Sequence, residues 1–150
     1  MAADLYIHSL YQQGAEHRQR NCEKAARRRD RLTPGTDEHR QAQAKVEKCL
    51  EHPCQQGYFR DAYDDDHALL WKFGLSWWAD VIPMRDRNGE ISVAQAARLL
   101  AMLKSRHDIF ELELAGLGPN ERRYFLDRYT DLQKFLNDAI ELNAPIDAWL

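Results

Sequence analysis

Between Tyr58 and Met84 the chain spaces its large apolar residues at three and four positions, and this spacing restricts the fold more than any other feature. Leu70, Phe73, Trp77, Trp78 and Val81 form one helical stripe, and Trp71, Leu75, Trp78 and Ile82 form a second on the neighbouring face. Seven of the fifteen aromatic residues fall in this stretch. A helix that is apolar on more than one side is covered by neighbours on more than one side. The stretch is therefore expected to be the central helix of a small helical domain. Asp64, Asp65 and Asp66 would cap its free amides at the positive end of the helix dipole, and Pro83 would end it.

The rest of the chain follows the same period. Residues 3–31 are expected as a first helix, with Leu5, Ile7, Leu10 and Tyr11 on its apolar side and mostly small residues beyond Gly14. Thr33-Pro34-Gly35-Thr36 is a turn, because proline presets one backbone angle and glycine accepts the left-handed one. A second helix runs from Asp37 to Glu51 and closes an antiparallel hairpin. Asn88-Gly89 marks another turn, and Ser92 with Gln95 fits a capping box that opens a helix to about Leu114. Pro119 suits the first turn of a last helix, about 120–142, striped by Phe125, Tyr129, Leu132, Leu136 and Ile140. The expected fold is one all-α domain of about five helices. A hairpin arm (1–52) would precede a three-helix bundle (58–150) built around the aromatic helix.

With 150 residues, 44% hydrophobic and 30% charged, the chain is long enough and apolar enough for a real core. A net charge of −3 gives no global attraction to nucleic acid or an anionic membrane. No basic patch followed by an apolar run opens the chain, and no stretch is long enough to span a bilayer, so no membrane contact is expected. Three cysteines, an odd number, point to free thiols and a cytoplasmic setting.

Four groups of residues bear on chemistry. Cys22, Cys49, His52 and Cys54 are a candidate zinc set, since the hairpin turn brings Cys22 within about a turn of Cys49. The paired-cysteine spacing of the usual zinc motifs is absent, and the alternative is two small seam residues and a loop thiol. No other cofactor is expected. Asp86-Arg87-Asn88-Gly89-Glu90-Ile91 looks like the middle of a calcium loop, but Met84 and Gln95 stand where the first and last ligands would be, so a plain turn accounts for it. His107-Asp108 resembles the paired ligands of the HD phosphohydrolases. That resemblance implies a metal-dependent hydrolase, to which His67 and Asp127 or Asp131 would have to contribute, and the hydrolase reading would also bring Asp61 and Asp64 near His67, His107 and Asp108. No motif surrounds them, and adjacent helical residues diverge by about 100°. Residues 18–31 carry seven Lys or Arg against Glu23 and Asp30, a charge run suited to nucleic-acid phosphates or to an acidic protein.

No phosphate loop, nucleophile elbow or dinucleotide fingerprint is present, so a non-enzymatic chain is expected. The first expectation is an interaction protein, such as a small inhibitor or adaptor. It would hold a protein partner through surplus aromatics (Tyr58, Tyr63, Trp77, Trp78 and Trp149) and through Arg27, Arg28 and Arg31 of the hairpin. Self-association through the same aromatics is a further use. A nucleic-acid module based on residues 18–31 is the alternative, and a metal-dependent hydrolase the third reading.

Overall fold

The computed structural model describes residues 2–51, 56–63 and 65–150, and the side chains of all of these except Leu50 and Glu51. It overturns the all-α expectation. Four short strands, β1 (Ala2–Tyr6), β2 (Tyr58–Ala62), β3 (Glu90–Ile91) and β4 (Ile146–Trp149), form an antiparallel sheet in the order β2-β1-β4-β3. The helices are α1 (His8–Asp30), α2 (Asp37–Glu51), α3 (Leu69–Lys72), α4 (Val93–Ser105), α5 (His107–Ala115) and α6 (Pro119–Glu141), with a π-turn at Trp77–Val81 and a 3-10 turn at Ile82–Met84. The fold is mixed α/β. The chain divides into two compact units, residues 1–8 with 57–150, and residues 9–56.

The strands come from a period of two that is too short to stand out. In β1, Ala3 and Leu5 are buried while Asp4 and Tyr6 are half-exposed, and β2 repeats this with Phe59 and Asp61 inward and Arg60 outward. Ile146 and Ala148 of β4 are likewise buried, with Trp149 exposed. Strand pairing across the sheet satisfies the backbone groups that five or fewer residues could not satisfy alone. The helix α6 lies against the buried face, with the Phe135 ring 6.2 Å from that of Phe59.

The aromatic stretch is not one helix. Its first five residues form β2, and only a single helical turn, α3, follows. Gly74 then takes a left-handed φ of +64°, which an L-residue avoids, and this ends the turn. Ser76 restarts the chain by accepting a hydrogen bond from the Ala79 amide, while its own amide donates to Asp80 Oδ2. The two apolar stripes still reach the core, because Leu70, Phe73, Leu75, Trp77 and Val81 are buried from these short pieces. Phe73 stacks on Phe110 with centroids 4.3 Å apart and planes nearly parallel, and Tyr129 closes on both rings. Burial of this cluster contributes on the order of 2–3 kcal/mol per ring.

Other expected elements form in part. Ser92 Oγ accepts from the Gln95 amide and caps α4. The returning half of the box is missing, because Gln95 Oε1 is buried without a hydrogen-bond partner among the described residues. The long helix expected to reach Leu114 bends at Arg106, which separates α4 from α5 and donates its guanidinium to the Phe73 and Gly74 carbonyls. Pro119 opens α6, whose Phe125, Tyr129, Leu132, Leu136 and Ala139 are buried.

The unit spanning residues 9–56 is the helical hairpin. Gly35 takes φ +88° at the turn, and Thr36 Oγ1 accepts from the His39 amide to start α2. Arg29 of α1 donates to Gln43 of α2, and a Cys22–Cys49 disulfide joins the same two helices with Cα atoms 5.7 Å apart. Among the described side chains of α2, the buried ones are Ala42 and Val46, and these two bury little apolar area.

Candidate functional site

The sheet register arranges its outer face in two rows. One row reads Arg60, Asp4, Trp149 across β2, β1 and β4. The next reads Tyr58, Tyr6, Asp147, Glu90 across all four strands. Three carboxylates, three aromatics and one arginine therefore share a face, joined at the end of β1 by His8.

Hydrogen bonds hold these side chains in place. Asp147 Oδ2 lies 2.8 Å from His8 Nε2 and accepts the Trp149 indole N–H at 2.9 Å. Asp4 Oδ1 accepts the Tyr58 hydroxyl at 2.5 Å and has Arg60 Nε at 3.7 Å. Burial, and then the hydrogen bond to Asp4, push the Tyr58 phenol up to about 12, so it stays a donor across the neutral range. The Tyr6 ring sits 5.0 Å from Tyr58 and stacks towards His8. Trp149 keeps 66% of its surface exposed. A large indole that is fixed in orientation and still open to solvent is the kind of side chain that anchors interfaces.

The aromatics singled out from the sequence do not form one patch. Tyr58 and Trp149 lie on the sheet face. Tyr63 and Trp78 meet edge to face just after β2, with Trp78 65% exposed. Trp77 is fully buried, and its indole donates to Asp61 Oδ2 at 2.8 Å, which makes it a core residue rather than a contact residue. The face-forming residues Asp4, Tyr6, His8 and Asp147 are missing from the sequence reading. Their signal was the alternation of Asp4, Tyr6 and His8 with buried Ala3, Leu5 and Ile7, which also fits the start of a helix.

Asp61 has a structural role. Its two oxygens accept the Leu69 amide at 3.0 and 2.9 Å, so this strand residue caps α3, the job expected of Asp64–Asp66. Asp65 instead turns back on the His67 amide, and Asp64 lies outside the described residues. Burial raises the Asp61 carboxyl above its ordinary value, against the opposing pull of its N–H donors and of Arg128.

The metal readings gain no geometry. Cys22 and Cys49 are bonded to each other, in place of the expected free thiols, and sulfurs so paired are not thiolate ligands. His52 and Cys54 lie outside the described residues. Among the described residues no group of three His, Cys, Asp or Glu side chains is placed to hold a metal ion. His107 instead faces Phe110 and Tyr129 and pairs loosely with Glu111, while His67 and Asp108 are exposed. The Asp86 loop closes on itself: Asp86 Oδ1 accepts the amides of Asn88 and Glu90, the role of a turn.

In the hairpin, Arg27, Arg28 and Arg31 are exposed, and Arg29 is tied to Asp30 and Gln43. Arg28 also lines a groove of about 330 Å³ between α1 and α2, with Ala25, Glu38 and Lys45. Charge is divided unevenly between the units. Residues 9–56 hold ten Lys or Arg against seven Asp or Glu, whereas the other unit holds eleven against seventeen, a formal −6. No described helix is long and apolar enough to cross a membrane.

Compared with models of known protein families, with curated proteins and with solved structures, the chain matches none.

Proposed function

We propose that this chain is a protein-binding module that acts by docking rather than by turnover, with the outer face of the four-stranded sheet as its contact surface. The observation that supports this reading is Trp149, which is two-thirds exposed yet held by Asp147 beside Asp4 and the Tyr6–Tyr58 pair. A rigid aromatic anchor loses little side-chain entropy on binding. A role as an inhibitor or adaptor follows if the partner is itself an enzyme or an assembly.

The test is a photo-crosslinker placed at residue 149 or residue 126 of the intact protein, in lysate of the native host. The reading expects one dominant crosslinked protein from position 149, absent from position 126 and competed by unlabelled protein but not by Trp149→Ala. Equal labelling from both positions would defeat it. Sedimentation at rising concentration separates self-association, which would make the partner a second copy.

A second reading rests on the charge division. The hairpin is the cationic unit, with Arg27 and Arg28 exposed on its α1 and Arg31 exposed just after it. Nucleic-acid binding through them would weaken steeply with salt and vanish when all three become glutamate. Affinity that ignores both changes would remove this alternative.

A further inference from the structure

Resting on the protein-binding reading, we infer that the sheet face takes an extended protein segment bearing lysine or arginine, whose cation sits between Trp149 and the carboxylates of Asp4, Asp147 and Glu90. Glu90 stands directly opposite Asp147 on the neighbouring strand. Like charges in that position repel, because cross-strand Cβ atoms are only about 5 Å apart. His8 meets Asp147 Oδ2, and Asp4, one row away, has Arg60 at 3.7 Å. Three carboxylates thus face Arg60 and His8, with the Arg85 guanidinium close by but donating to the Ala148 carbonyl. A cation arriving from outside relieves the repulsion.

The carboxylates have the capacity to receive it. An ionised carboxylate offers about four lone-pair sites, and the bonds to Asp147 all fall on Oδ2 while that from Tyr58 falls on Asp4 Oδ1. Trp149 occupies the position opposite Asp4, so an indole face and a carboxylate flank the same spot. Indole is the best π-surface for an ammonium or guanidinium group. The surrounding unit carries a formal −6, which raises the encounter rate of cationic partners and disfavours phosphates. A bare metal ion is the poorer occupant, since no three ligands among the described residues converge. A cation carried on a flexible stem reaches the face without that convergence.

The experiment uses the intact protein and two synthetic decapeptides, one alternating lysine with threonine and the other glutamate with threonine. Calorimetry gives Kd at low and at physiological salt, and indole N–H resonances of 15N-labelled protein locate the contact. The lysine peptide is expected to bind, to weaken about tenfold between the two salt conditions, and to shift the Trp149 indole while leaving Trp78 unmoved. Asp147→Asn and Trp149→Ala should each weaken it about tenfold, and Arg60→Glu, which removes the competing cation, should tighten it severalfold. Circular dichroism checks that each variant is folded, and Arg60→Glu alters a side chain 63% exposed, so it tests the claim even if Asp147→Asn disturbs the strand. No binding of the lysine peptide, equal binding of the glutamate peptide, or shifts at Trp78 instead of Trp149 would overturn the inference. If the peptide fails while crosslinking from position 149 stays specific, the face binds a partner that is not cationic, and only the inference falls. If both fail, the binding reading falls with it.

Discussion

Replacing Asp61 by alanine should unfold the sheet-containing unit far more easily than its single carboxylate suggests. Asp61 is 4% exposed and joins three elements: it sits on β2, caps the first amide of α3 through both oxygens, and accepts the Trp77 indole at the start of the π-turn. Removing it strands two buried N–H donors, each costing about 1–3 kcal/mol, and leaves a small cavity beside Trp77. The expected loss is about 4 kcal/mol, or roughly 2 M in the urea midpoint for a slope of about 2 kcal/mol per molar. All four tryptophans lie in this unit, whereas the hairpin holds Tyr11, so fluorescence excited selectively at tryptophan follows the unfolding of this unit. Asp61→Asn should lose less, because one amide oxygen still accepts while the new NH2 faces a donor. The pH dependence has a definite sign. The folded carboxyl titrates above its ordinary 3.8 because burial opposes the charge, so the folded state holds its proton longer than the unfolded chain does. Its contribution is greatest below the unfolded pKa and falls as pH rises through the raised folded pKa. The stability difference between wild type and Asp61→Asn should therefore shrink as pH climbs through that window. An Asp61→Ala variant that loses under 1 kcal/mol, or a difference that grows with pH there, would refute the argument.

Three other outcomes follow from the packing. Reducing the Cys22–Cys49 disulfide removes a cross-link over a separation of 27 residues, a loss of about 3.5 kcal/mol by loop entropy, and the thin seam of Ala42 and Val46 should not make it up; amide exchange in α1 and α2 should accelerate on adding reductant while α6 is unchanged. Trp77→Ala should cost about 3–5 kcal/mol and Trp78→Ala less than about 0.5, since one indole is fully buried and the other 65% exposed, and thermal melts separate the two. Gly74→Ala places a Cβ at ordinary contact distance from Arg106 and Ile109, so its expected loss of about 1–2 kcal/mol comes from the left-handed backbone alone; Gly74→Asn, which tolerates that region better, should recover part of it.

The parts of this fold legible in the sequence are those decided within a few residues. The Pro34-Gly35 turn, the Ser92 cap, the Pro119 start and the α6 stripe rest on local hydrogen bonds, fixed φ angles and a period sustained for several turns. The hairpin's cysteines also meet as their positions imply, although as a disulfide rather than as thiols. Of the proposed contact face, the sequence singled out Tyr58 and Trp149 but also Trp77, because periodicity shows that adjacent tryptophans diverge without showing which one is buried.

The sheet was decided by tertiary structure alone. Residues 2–6 contain three apolar side chains, fitting a helical turn or a strand equally well, and their hydrogen-bond partners are residues 58–62 and 147–149. A strand this short has no local energy that distinguishes it from a helix; it exists because distant backbone groups pair with it and because one face meets the core. The same long-range pairing broke the aromatic stretch, since β2 claimed its first residues and Asp61 then set where α3 begins. Local chemistry thus determined the turns, the caps and the long helices, and the assembly of remote segments determined the sheet and the face it presents.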